Sequence, residues 1–108
     1  MAQKLNLIID QGTTFSTSFD VNDDAGVPID FTGYTGNSQF RKSYTSSSYT
    51  AFTVSANSTG SVTLSLSANT TNSLTPGRYV YDVEMTAPGG TISRIVEGIV
   101  TVTPQVTK

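Results

Sequence analysis

The sequence contains no cysteine and no histidine. These absences remove Ser-His and Cys-His nucleophile pairs, zinc sites built on either residue, iron–sulfur clusters and disulfide staples. Charge is scarce as well. Asp, Glu, Lys and Arg make up 13% of the chain, about half the roughly 25% of an ordinary globular protein. The net charge is −2, and the six cations, Lys4, Arg41, Lys42, Arg78, Arg94 and Lys108, are scattered. Nucleic-acid binding draws on a basic stripe, which this distribution does not supply. No apolar run approaches the ~20 residues of a membrane span. The first ten residues, MAQKLNLIID, hold too short an apolar stretch for a secretory signal and no small-residue cleavage site. The product is therefore expected to stay in the cytoplasm in which it is made until something larger releases it. The expectation from these absences is a protein without cofactor or metal that is not an enzyme and takes neither nucleic acid nor membrane as a partner.

Hydroxyl groups replace the missing charge: Thr (18) and Ser (14) account for 32 of the 108 residues. Val, Ile, Leu and Phe contribute 26 more, just above the roughly 20% below which a chain cannot bury enough apolar surface to fold. At 11.4 kDa the expected organisation is one domain, residues 1–108, with one modest core and about 65% of its extended surface buried.

The hydrophobic period is two nearly throughout, in short segments divided by Gly, Pro, Asn and Asp, the pattern of antiparallel β-structure. Leu5, Leu7 and Ile9 alternate in a first strand. Phe15, Thr17, Phe19 and Val21 form one face of a second, followed by a turn and loop over residues 22–30. Tyr34, Ser38, Phe40, Lys42 and Tyr44 share a parity in a third, with Arg41 opposite. Residues 45–48, Thr-Ser-Ser-Ser, read as a mobile loop. Phe52 and Val54 mark a fourth strand, Asn57-Ser58-Thr59-Gly60 a tight turn, and Val62, Leu64 and Leu66 a fifth strand. Ser67 is placed to cap a single helical turn. Tyr79, Tyr81, Val83 and Met85 point one way in a sixth strand, and Pro88-Gly89-Gly90 leads into a seventh, from Thr91 to about Thr103. That last strand has conflicting apolar parity, and Glu97-Gly98 at its middle suggests a bulge; the alternative is that it is covered on both faces. Seven short strands in about 100 residues predict an all-β, immunoglobulin-like antiparallel sandwich without a disulfide.

Three constellations carry possible chemistry. Asp20, Asn22, Asp24 and Gly26 alternate like oxygen ligands of a calcium loop, but Gly26 falls one residue late and Thr32 stands where the closing Glu belongs. The stretch therefore reads as an Asx-rich turn. Asp82 and Glu84 form a same-face carboxylate pair of the kind glycosidases use, yet a solvated strand face with Arg78 or Arg94 across the hairpin explains them as well. Tyr34, Tyr44 and Tyr49 flank the 45–48 loop, and exposed Tyr is a frequent contact for sugars and proteins; inward-facing Tyr in a sandwich is equally ordinary. Asn57-Ser58-Thr59 and Asn69-Thr70-Thr71 fit the glycosylation pattern and read as coincidences of a Ser/Thr-rich chain.

Leu74-Thr75-Pro76-Gly77-Arg78-Tyr79-Val80-Tyr81 resembles the turn into strand F of immunoglobulin-like domains. That resemblance implies a structural corner role for Tyr79, with Tyr81 where antibody domains carry Cys. A wider set, Gln11 to Phe15, Gly26 to Tyr34, Phe40 to Ser43, Gly77 to Glu84 and Arg94 to Val102, resembles in order the small immunoglobulin-like modules of tailed-bacteriophage virion proteins, especially tail and baseplate components. In that family the module often forms the N-terminal attachment part of a longer fibre; this chain stops at Pro104 to Lys108, about where the next domain would begin. The resemblance implies a virion protein made in the host cytoplasm, present in several copies and partnered by other virion structural proteins. It would adapt or decorate the tail, baseplate or neck, or decorate the capsid. Contacts are expected through the first strand (Leu5, Leu7), the loop bearing Tyr44 and Tyr49, and the C-terminal residues. A carbohydrate-binding module touching host glycans through Tyr44 and Tyr49 is the reading from a different class.

Overall fold

The alternation becomes nine strands and one helical turn in a computed structural model that describes residues 3–23 and 25–106. In chain order these are β1 (Gln3–Lys4), β2 (Leu7–Asp10), β3 (Phe15–Asp20), β4 (Thr35–Arg41), β5 (Thr50–Ala51), β6 (Thr53–Ala56), β7 (Ser61–Leu66), α1 (Ala68–Asn72), β8 (Gly77–Thr86) and β9 (Ile92–Thr103). The larger sheet has the order β1-β9-β8-β4-β5, with β2 also on β9, and the smaller has the order β3-β7-β6. The fold is an all-β, immunoglobulin-like sandwich. Its first two strands run parallel to β9 rather than lying beside β3, where an immunoglobulin-type sheet places its first strand. β3 is therefore an outer strand, paired on one side by β7.

Inward alternate residues of both sheets make the core: Ile9, Val62, Leu64, Val83, Val96 and Val100 are fully buried. Aromatic rings fill its centre. Phe52 lies 4.9 Å from Phe40 and 5.9 Å from Phe15, and Tyr79 meets Phe40 edge-on at 5.2 Å. Each large side chain so buried contributes about 1.5–3 kcal/mol.

The predicted fourth strand is in fact two. β5 pairs with β4 in one sheet and β6 with β7 in the other; the chain changes sheets at Phe52, whose ring is buried while its amide donates to Ser38 at 2.9 Å. The third strand ends at Arg41, short of Lys42 and Tyr44. The predicted first strand is also broken, because Leu5 and Asn6 cross directly over Gly98. There the Leu5 amide donates to Glu97 (3.0 Å), the Tyr81 hydroxyl donates to the Leu5 carbonyl (2.5 Å), and Asn6 Oδ1 accepts the Ile99 amide (3.1 Å). A Cβ on Gly98 would overlap the Leu5 carbonyl. Gly98 thus permits a close backbone approach, and the bulge expected at Glu97-Gly98 lies elsewhere. Register passes from Val83↔Val96 to Glu84↔Arg94, which leaves Ile95 as the extra residue. The bulge lets the adjacent Ile95 and Val96 both be buried, while Ile92 and Ile99 stay exposed, and together these account for the conflicting parity of β9.

Turn chemistry follows the sequence closely. Ser67 caps α1, its Oγ accepting the Thr70 amide at 3.3 Å, and the buried Thr71 hydroxyl donates to the Thr13 carbonyl at 2.7 Å, which anchors the helix to the β2–β3 turn. The Tyr79 hydroxyl donates to the Thr75 carbonyl at 2.6 Å and closes the corner before β8.

Candidate interaction surface

The two sheets present different outer faces because their outward alternate positions differ in residue type. On the smaller sheet these are Ser16, Ser18, Asp20, Thr53, Ser55, Ser61, Thr63 and Ser65, one acid among hydroxyls. Cross-strand neighbours such as Ser18 and Thr63 bond each other at 2.8 Å. On the larger sheet, β4, β8 and β9 turn out Asn37, Gln39 and Arg41, then Val80, Asp82 and Glu84, then Arg94, Glu97 and Ile99. Five of the twelve charged side chains among the described residues, Arg41, Asp82, Glu84, Arg94 and Glu97, lie on this face.

Arg41 organises one end of this face. Its guanidinium donates to Gln39 Oε1 (2.9 Å) and to the Ser46 carbonyl (2.5 Å), and it lies 5.0 Å from the Tyr49 ring centroid, within cation–π range. These contacts tie the turn over residues 42–49 to β4. At the other end Arg94 Nε sits 3.2 Å from Asp82 Oδ2, a half-exposed ion pair worth well under about 1 kcal/mol. Between them runs a shallow groove of about 440 Å³, lined by Asn37, Gln39, Arg41, Asp82, Glu84 and Arg94 and rimmed by Tyr44. Two contacts hold part of its lining: Gln39 is bonded by Arg41 within β4, and Asp82 is paired with Arg94 across β8 and β9.

The predicted contact residues separate. Tyr44 and Tyr49 are 73% and 54% exposed, so both can be contact residues. Tyr34 is half-buried against Phe31, 5.2 Å away and edge-on. Leu7 is buried at 6% and Leu5 packs against the core, which corrects their assignment to a surface: the odd positions of the first strand face inward, and the apolar side chain exposed there is Ile8. Tyr81, opposite Gly98, is a core residue; burial pushes its hydroxyl up to about 12. Tyr79 is shifted up for the same reason, opposed by its bond to Thr75. Of the C-terminal residues, Gln105 is held by its amide on Gln11 Oε1 (2.9 Å), while Val106 is exposed.

The Asx-rich stretch folds as a turn around Asp23, whose Oδ1 accepts the amides of Ala25 (2.9 Å) and Val27 (3.0 Å), with Gly26 at φ 82°. Asp24 lies outside the described residues. Among the described residues no three His, Cys, Asp or Glu side chains cluster as a metal site. Asp82 and Glu84 lie on the groove floor, with Asp82 held by Arg94. The outward parity of Arg41 was readable in the sequence; its contact with Tyr49 was not, since it depends on how the turn closes.

No protein-family model and no curated protein matches the chain. Among solved structures it is similar to an internalin-like protein of Listeria monocytogenes, with 18% identity, a TM-score of 0.49, and coverage of 94% of this chain and 28% of that one. The chain thus spans a little over a quarter of that protein.

Proposed function

We propose that the protein is a non-enzymatic structural module of a tailed-bacteriophage virion, an adaptor or decoration piece assembled in several copies on the tail, baseplate or neck. The ordered motif resemblance supports the phage assignment. The observation that carries the assembly role is the outer face of the larger sheet: an open, shallow array of mutually pinned Arg, Asp, Gln and Tyr side chains, suited to meeting another protein surface and too open to enclose a small molecule. Mass spectrometry of purified particles tests this reading. The protein should be present at a fixed ratio to the other virion proteins and survive washing with free sugars; its absence from particles would end the proposal. A gold label on the intact particle distinguishes tail, baseplate and neck from the alternative of capsid decoration.

A second reading, carbohydrate binding, is favoured by Tyr44 standing 73% exposed at the rim of a groove that offers Asn37, Gln39, Asp82 and Glu84 as planar hydrogen-bonding groups. It predicts saturable glycan binding on an array that Tyr44→Ala reduces at least tenfold. A flat array with folded protein excludes it.

A further inference from the structure

We propose that two copies of this chain pair edge to edge through β3, antiparallel about a two-fold axis at Ser18, joining their smaller sheets into one. Backbone hydrogen bonds alternate in direction along β3. The Val21 amide donates to Gly60 at 2.8 Å, which continues the β3–β7 register and marks that pair as a hydrogen-bonded one. Counting back by twos, Phe15, Thr17 and Phe19 bond β7, so the amides and carbonyls of Ser16, Ser18 and Asp20 point to the other side. The opposite margin agrees: Asn57 donates to Ser61 at 3.1 Å, so β7 spends its Ser61, Thr63 and Ser65 groups on β6 and its Val62, Leu64 and Leu66 groups on β3. Among the described residues no strand pairs with the free side of β3.

Natural edges are blunted by Lys, Pro, bulges or short length, and β3 has none of these over six residues. Its inward side chains Phe15, Thr17 and Phe19 remain half-buried, so an added strand would cover apolar surface as well as complete hydrogen bonds. Charge chooses the occupant and the register. With Ser18 at the axis, Ser18 faces its copy and Asp20 faces Ser16 of the second copy, a carboxylate opposite a hydroxyl on both sides, with no like charges opposed. This register satisfies all the free β3 groups with about six backbone hydrogen bonds. The inference rests on the geometry of β3 and not on the virion reading: absence from particles would leave it standing.

Analytical ultracentrifugation up to about 1 mM, the weak limit of specific association, tests it. The expected mass is twice the 11.4 kDa of the chain. Ser18→Pro removes an amide that bonds nothing within the chain, and Ser18→Lys sets two ammonium groups face to face at the axis; both should restore the single-chain mass with the fold intact. Because the chain has no cysteine, single thiols report the register. Ser18→Cys should cross-link on oxidation, its paired Cα atoms about 5.5 Å apart, whereas Ser16→Cys, about 13 Å from its copy, should cross-link at least tenfold more slowly. A single-chain mass at every concentration overturns the proposal, including the case in which β3 takes a strand from another protein. So does a dimer that both Ser18 variants leave intact, or equal cross-linking of the two thiols.

Discussion

The margins of the two sheets are built differently. The larger sheet ends in strands that offer little to a partner: β1 and β5 have two residues each, and β2 is separated from β1 where Leu5 and Asn6 cross Gly98. Its outer face offers varied side chains instead, with Arg41, Tyr44, Asp82 and Arg94 around the groove. The smaller sheet is the reverse. Its outward side chains are nearly uniform hydroxyls, and the longer of its two outer strands, β3, has six residues and free backbone groups. The lesson is that one small sandwich can separate recognition by side chains from recognition by backbone, one on each sheet. The low charge noted at the outset belongs mainly to the smaller sheet, where it removes the repulsion that would keep two identical edges apart.

Substitutions that damage one margin and spare the other would break or sharpen this contrast. The largest effect is expected from Gly98→Val, which drives a branched side chain into the Leu5 backbone and should cost about 4 kcal/mol in denaturant unfolding. Next, Thr17→Pro and Ser18→Pro alter neighbouring residues of β3 with opposite results. The first removes a bond to β7 and should cost on the order of 3 kcal/mol, the second less than about 1 kcal/mol, since that amide is unused within the chain. Equal losses would contradict the assigned alternation. Tyr81→Phe removes the hydroxyl that braces Leu5 and should cost about 1–2 kcal/mol at neutral pH. It should also change the alkaline limb. Burial raises Tyr81 to about 12 from about 10 in the unfolded chain, so the folded state holds its proton more tightly. Stability from this group is complete below about pH 10 and is lost as pH rises towards 12. Unfolding midpoints across that window should fall less steeply in Tyr81→Phe, with Tyr79 supplying a residual slope of the same sign. The smallest effect is Arg94→Ala, which breaks an exposed pair for less than about 0.5 kcal/mol while reducing any contact made through the groove.

Much of this was legible in the residues. The strict alternation of Val62, Leu64 and Leu66 with Ser and Thr defines β7 and its face, the Asn57 turn sets its hairpin, and Ser67 announces the helical cap. What stayed hidden depends on tertiary placement. A strand that changes sheets at Phe52 keeps the same period on both sides of the change, so nothing in the pattern marks it. The conflicting parity of β9 signalled a bulge, but Gly98 drew it to the wrong position because a glycine serving backbone approach looks the same in sequence as one serving a bulge. Leu5 and Leu7 alternate as an edge strand should, and only the partner strand decides that they face inward. The openness of β3 is the furthest from view, since it follows from β1 and β2 joining β9, a choice between two sheets that the local sequence of β3 does not encode.

The proposed pairing of two copies through the free side of β3 is tested most directly by amide hydrogen exchange resolved residue by residue. In dilute protein Thr17 and Phe19 should be protected, while Ser16, Ser18 and Asp20 exchange quickly. In concentrated protein all five should be protected together. Protection of Ser18 already present in the dilute chain, or an alternating pattern that persists unchanged on concentration, would contradict it.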